Sequence, residues 1–167
     1  RTVENKLNRE FKQKKPGKVL LTDITYLSYG FYKRAYLSTI KDASTNEIMA
    51  FRLSTNLYLD FVLKTMWDLK EQKEVPIPED AFVHSDQGSH YTSPTFQALL
   101  KEMKLEQSMS RKGNCWDNSP QESFFGHMKD EVDLKKCSTF EELQVEIGRY
   151  IEYYNNYRYQ WNLKKMN

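Results

Sequence analysis

Over the first half of the chain the apolar residues crowd into short runs broken by turn-forming clusters, and over the second half they recur at helical spacing. The run VLLTDITYL, starting at Val19, is rich in β-branched and apolar residues and predicts a buried strand with Asp23 in its middle. AYLSTIKD and IMAFRLS predict two more strands joined by the tight turn ASTNE, an antiparallel meander. Leu57, Phe61, Val62, Thr65, Met66 and Leu69 then share one helical face, so an amphipathic helix is expected over 56–73, capped by Thr55 or Asn56 and closed by Val-Pro-Ile-Pro. AFVHSD predicts a short strand that delivers Asp86 at its end, with Gly88 allowing a sharp turn after it.

Pro94 opens an expected helix near 94–103, and LEQSMS suggests a fifth strand. SRKGNCWDN has turn composition and predicts a loop over 110–118. Beyond it Asn118 or Ser119 can cap a helix whose first turn holds Pro120 and Glu122. A long helix from about Thr139 to Trp161 follows, started by a capping box of Ser138 or Thr139 with Glu141 or Glu142. This order implies an α/β fold, a mixed sheet with helices on its faces. Residues 1–18 lack hydrophobic periodicity, end in Pro16-Gly17 and read as a linker or tail; residues 19–167 read as one domain.

Composition adds limits. Hydrophobic residues make up 39% and charged residues 29% of the 167, a balance that fits neither a disordered chain nor a membrane span. No secretory signal core is visible, so a cytoplasmic protein is expected. Cys115 and Cys137 are too few for a disulfide framework or a zinc site. The net charge of +2 is close to neutral, but residues 1–18 hold seven basic side chains against two acidic ones, a local excess suited to phosphate or simply to solvent.

Three acids stand in unusual places: Asp23 among apolar strand residues, Asp86 at a strand end, and Glu122 at a helix start. Each has an ordinary explanation, Asp86 as a turn former and Glu122 as a first-turn acid favoured by the helix dipole. Converging, they would repel, and a buried carboxylate costs several kcal/mol unless a cation compensates. A pair of Mg²⁺ or Mn²⁺ ions resolves both problems, because hard divalent cations take oxygen ligands and leave room for phosphate. That is the two-metal arrangement for displacement at phosphorus.

Sixty-two residues separate Asp23 from Asp86, and 35 separate Asp86 from Glu122. With the stretches TDITY (22–26), HSDQGSHY (84–91), SMSRKGNCWDNSPQESFFGHMKDE (108–131) and YIEYYNNYR (150–158), the chain resembles the DDE transposases of the retroviral-integrase superfamily. Its likeness is to the orfB-type transposases of the IS3 group of bacterial insertion sequences. The resemblance spans nearly everything from residue 19 onward, and the third stretch is its most specific part. It implies an RNase H-like fold, a five-stranded mixed sheet flanked by helices, with Asp23 on the first strand, Asp86 after the fourth and Glu122 on the helix beyond the fifth. It also implies Mg²⁺-dependent nicking at an element's end to free a 3′-hydroxyl, then attack of that hydroxyl on a second phosphodiester. Two ions would serve the active complex, the partner would be double-stranded DNA of element ends and target, and the protein would act as a homo-oligomer on DNA without a nucleotide cofactor. Leu20 stands where the family usually has a Trp, and the family's Pro-containing C-terminal extension and upstream helix-turn-helix region are not seen.

Lys129 lies seven residues after Glu122, about 20° away around a helix and about 10 Å along it. It shares the glutamate's face, which suits a phosphate-gripping cation, and family members place a DNA-contacting lysine there. Arg111 and Lys112 are candidates for DNA backbone contacts, against ordinary surface charge. His84 suits a structural histidine better than a ligand, and Asn118 a helix cap better than a substrate contact. Tyr150, Tyr153, Tyr154, Tyr157 and Trp161 can stack on bases, though their spacing suits a packed helix face better. Two alternatives remain beside the transposase: an RNase H-like nuclease without strand transfer, and a non-catalytic DNA-binding module of the same fold. A glycosidase would not need the third acid.

Overall fold

The computed structural model describes residues 2–7, 15–110 and 119–165, with backbone alone at 119, 159–163 and 165. Val19–Tyr29 forms β1, Lys33–Asp42 β2 and Ile48–Ser54 β3; Leu59–Glu71 forms α1 and Phe82–Ser85 β4. Ser89–Thr92 and Pro94–Glu102 form α2 and α3, Glu106–Met109 β5, Ser119–Glu131 α4 and Phe140–Lys165 α5. The strands make one five-stranded sheet in the order β3-β2-β1-β4-β5. β1, β2 and β3 are the expected antiparallel meander, whereas β4 and β5 run parallel to β1. Arg111, Lys112, Cys115 and Asn118 lie outside the described residues.

Two apolar layers cover the sheet. On one side Phe61, Val62, Met66 and Leu69 of α1 and Phe96 and Leu100 of α3 pack with Leu20, Ile40 and Val83. On the other, Phe124, Phe125 and Met128 of α4 and Leu143, Ile147 and Ile151 of α5 pack with Leu27, Tyr29 and Leu37. β1 serves both because its side chains alternate between faces. Truncating one of these buried rings, such as Phe124, would cost about 3–5 kcal/mol.

Helix starts differ in how they are capped. Ser93 accepts from the Thr95 amide, and at α5 Thr139 Oγ1 accepts from the Glu142 amide while the Glu142 carboxylate accepts from the Ser138 amide, so the expected capping box forms with its return bond one residue early. α1 departs from expectation: it begins at Leu59 with Tyr58 at the cap position and no side-chain cap bond, because Asn56 instead turns its amide to Ser54 Oγ. The stretch read as a linker is partly docked. Leu7 is buried beside Val19 and Leu21, and the Lys6 amide donates to Ser108 Oγ on β5.

Candidate active site

The parallel pairing of β1 with β4 sets Leu21 opposite His84. Two residues beyond that pair stand Asp23 on β1 and Asp86 just past the end of β4, so the register brings these acids to the same end of the sheet. Gly88 matters here for space rather than for its dihedrals, since its φ is −59°. The Asp86 carboxylate accepts from the Gly88 amide at 2.7 Å, and a Cβ on Gly88 would stand 2.8 Å from that same oxygen. His84 is buried with its Nδ1 2.8 Å from Ser108 Oγ on β5, the structural role its sequence context favoured.

Glu122 arrives on the first turn of α4. The four inward residues Gln121, Phe124, Phe125 and Met128 are buried, at the i, i+3, i+4, i+7 spacing of a packed stripe. Gln121 is the polar member of that stripe. Its Nε2 donates to the Leu21 carbonyl at 2.6 Å and its Oε1 accepts from Thr39 Oγ1 at 3.0 Å, tying the start of α4 to β1 and β2. Lys41, 3% exposed, adds a second tie by donating to the Pro120 carbonyl at 3.0 Å beneath the rings of Phe124 and Tyr154. Burial, and then the charge of Arg158, pushes its ammonium pKa down to about 7. Neither residue was singled out by sequence reading; Gln121 was accessible as the polar first position of an apolar stripe, whereas nothing local marks Lys41.

Asp23 is partly buried, while Asp86 and Glu122 are exposed. Burial raises the Asp23 carboxyl to about 7; the Ile24 amide, donating to Oδ1 at 2.8 Å, opposes the rise, and the negative charges of Asp86 and Glu122 add to it. The three acids therefore share one electrostatic field. The buried Tyr91 hydroxyl lies in it too, its pKa pushed well above the ordinary 10.0 by burial and by the charge on Asp23. Among the described residues no three His, Cys, Asp or Glu side chains already close around a point as a metal-holding group. What the acids do provide is an all-oxygen donor set, one member of which ionises only at a cost and two of which face solvent, which fits a hard divalent cation that also takes water and substrate oxygens.

Lys129 reaches the same side of β1. Its Nζ donates to Thr25 Oγ1 at 2.8 Å, two residues beyond Asp23 and on the same strand face, and partial burial lowers its pKa. The C-terminal tyrosines divide: Tyr150 and Tyr154 are buried against α4, whereas Tyr153 and Tyr157 are 59% and 55% exposed. The side chain of Trp161 lies outside the described residues.

Residues 13–115 match the family model described as integrase core domain, and residues 103–165 match a second model of the same description. The chain belongs to the integrase core domain family. Within this family it is similar to an uncharacterized transposase-like protein of Haemophilus influenzae, 40% identical over 97% of this chain and 74% of that one. It is also similar to the transposase for insertion sequence element IS904 of Lactococcus lactis, 36% identical over 92% of this chain but 60% of that one. The chain thus spans about three quarters of one relative and under two thirds of the other. Insertion-sequence transposases are the group whose motifs it resembles, and the IS3 assignment is consistent with these relatives.

The fold agrees with that family. The integrase catalytic core domain of HTLV-2, solved in complex with magnesium in a dimeric form, superposes with a TM-score of 0.65 at 14% identity, over 82% of this chain and 85% of that one. The catalytic domain of the Mos1 mariner transposase superposes at 0.59 with 11% identity, over 81% and 70%. The five-stranded mixed sheet with helices on both faces is the RNase H-like fold expected from the motifs. No helix among the described residues is long and apolar enough to cross a membrane.

Proposed function

We propose that this chain is the catalytic core of a DNA transposase, and that Asp23, Asp86 and Glu122 hold its divalent cations. The observation that carries the reading is the shared field of these acids: an Asp on the central strand is held near pKa 7 by burial and by the other two charges. Evolution tolerates such a costly arrangement where it serves function, and like-charged carboxylates in one site are a recurrent sign of it. When bound, two Mg²⁺ or Mn²⁺ ions would supply the charge that lets all three acids ionise, and would stabilise the attacking and leaving oxygens.

The chain's own groups do the positioning. The Gly88 amide fixes the Asp86 carboxylate, and the Ile24 amide fixes that of Asp23. Gln121 and Lys41 hold the start of α4 so that Glu122 faces the sheet end, and Lys129, steered by Thr25, presents an ammonium to a phosphate of the bound strand. Arg111 and Lys112, which lie outside the described residues, are assigned contacts to the DNA backbone. In the first step water adds to phosphorus and the P–O3′ bond breaks, leaving a 3′-hydroxyl and a 5′-phosphate. In the second that hydroxyl adds to another phosphodiester and displaces its 3′-oxygen, one P–O bond made for one broken. Joining two DNA ends calls for at least two protomers on DNA.

The test is incubation with labelled duplex carrying the element's end and Mg²⁺. Metal-dependent nicking that Glu122→Gln abolishes supports the reading, and undiminished nicking by that variant defeats the site assignment. Transfer of the freed strand into a second duplex separates a transposase from an RNase H-like nuclease. Ca²⁺ in place of Mg²⁺ should permit binding and stop cleavage.

A further inference from the structure

The turn between β1 and β2 is built against ordinary turn chemistry. Its three residues are Gly30, Phe31 and Tyr32, where short connections usually carry Gly, Asn or Asp. Gly30 has φ +53° and Tyr32 has φ +57°, the left-handed region that an aromatic side chain rarely enters. The result is display: Phe31 is 84% and Tyr32 86% exposed, their rings edge-to-face with centroids 4.6 Å apart. Neither ring contributes to any apolar layer of the fold.

The tip is nonetheless held firmly from behind. The Gly30 amide donates to the Leu134 carbonyl at 3.2 Å, and Lys33 Nζ donates to the Ser138 carbonyl. A Cβ on Gly30 would stand 2.8 Å from the Cys137 carbonyl oxygen, so the turn and the α4–α5 connection fit closely. Exposed Lys33 and Arg34 follow the turn directly, and exposed Lys135 and Lys136 lie on the connection against which it docks. Lys136 lines a cavity with Asp133, Glu141, Glu142 and Glu146, which leaves Lys33, Arg34 and Lys135 as the exposed cations of the tip. An exposed aromatic pair with exposed cations on the adjoining strand and connection has the two parts that single-stranded nucleic acid requires, a stacking platform and phosphate partners.

Its position also suits DNA. β1 and β4 run parallel, so the end of β1 that carries the tip is the end toward which Asp86 faces. Phe31 is eight residues beyond Asp23, about 26 Å along an extended strand. That is too far to touch a phosphate at the acids and near enough to meet DNA flanking it.

We infer that Phe31 and Tyr32 form a stacking point for unpaired bases of DNA flanking the acidic site, with Arg34 and Lys135 binding the adjoining phosphates. This rests on the transposase reading above, and the experiment separates the two. The full chain is titrated by fluorescence anisotropy against a labelled blunt duplex and against the same duplex extended by unpaired arms, with 2-aminopurine in one arm. The wild-type protein should prefer the arms. The double variant Phe31→Ala, Tyr32→Ala should lose about tenfold in affinity for the armed duplex, keep its affinity for the blunt one, and no longer change the 2-aminopurine emission. Phe31→Trp should preserve the preference. Both substitutions touch exposed rings, so an unaltered thermal midpoint is expected of each. Equal affinity of the wild type for the two duplexes, or a double variant that binds the arms as well as wild type, would overturn the inference while leaving nicking intact. A double variant that only shifts sedimentation from dimer to monomer would overturn it too, assigning the tip to self-association. Failure of the wild type to bind or nick either duplex would overturn the transposase reading along with it.

Discussion

Asp23→Asn should stabilise the metal-free protein while destroying its chemistry. The substitution keeps the shape and the Oδ1 that accepts from the Ile24 amide, but removes the charge. Burial, with the charges of Asp86 and Glu122, raises the Asp23 carboxyl from 3.8 to about 7. A raised carboxyl pKa means the folded state holds the proton more tightly than the unfolded chain does. The cost of ionising Asp23 in the fold is therefore absent below pH 3.8, grows between there and about 7, and is complete above. At about 1.36 kcal/mol per pH unit the ceiling is about 4 kcal/mol, and solvent reaching the partly exposed side chain lowers it. For a chain of this size that corresponds to a rise in thermal midpoint of up to about 10 °C. The assay is thermal unfolding followed by circular dichroism in chelator, from about pH 4 to pH 8, then at the upper pH with Mg²⁺. The variant's advantage should widen as pH rises, and Mg²⁺ should stabilise the wild type more than the variant. An Asp23→Asn protein no more stable than wild type at the upper pH would refute the claim that this carboxylate is held at a cost. Equal stabilisation of both by Mg²⁺ would refute its place as a metal ligand.

Gln121→Leu leaves the buried Leu21 carbonyl and Thr39 hydroxyl without that partner and should cost about 2–4 kcal/mol in chemical denaturation, with nicking reduced further than stability alone accounts for. Lys41→Met should show the opposite pH dependence to Asp23→Asn. A lysine pKa lowered to about 7 costs stability fully below that pH and progressively less up to its ordinary 10.5, so the variant's midpoint relative to wild type should be highest near pH 6 and fall as pH rises; a pH-independent difference would sink the account. Ser38 Oγ is buried and has no hydrogen-bond partner among the described residues, so Ser38→Ala should stabilise by about 1 kcal/mol in the same denaturation assay. Thr139→Ala removes the cap of α5 and should cost about 1 kcal/mol.

Much of the architecture was legible because it is written in local periodicity. Four of the five strands coincide with runs of apolar or β-branched residues, β5 being the polar exception EQSM, and α3, α4 and α5 begin at Pro94, Ser119 and Phe140, where capping residues and prolines place them. The start of α1 was misplaced because its N-terminal signals, Thr55 and Asn56, belong to a turn, and α2 was too short to show a period. The three acids were visible as charges out of place, and their spacing tied them together through resemblance.

The sequence by itself determined the strands, the long helices and the identity of the acidic residues, since each depends on neighbours within a turn or a pleat. The tertiary structure alone decided what those acids experience. Asp23 meets Asp86 because two parallel strands set Leu21 against His84, and no local pattern states that register. The ties from Gln121 and Lys41 to β1, β2 and α4 span 79 to 100 residues of sequence, and the Lys33–Ser138 contact behind Phe31 and Tyr32 spans 105. Raised and lowered pKa values follow from the same cause, because desolvation is a property of everything packed around a group and not of the segment that carries it.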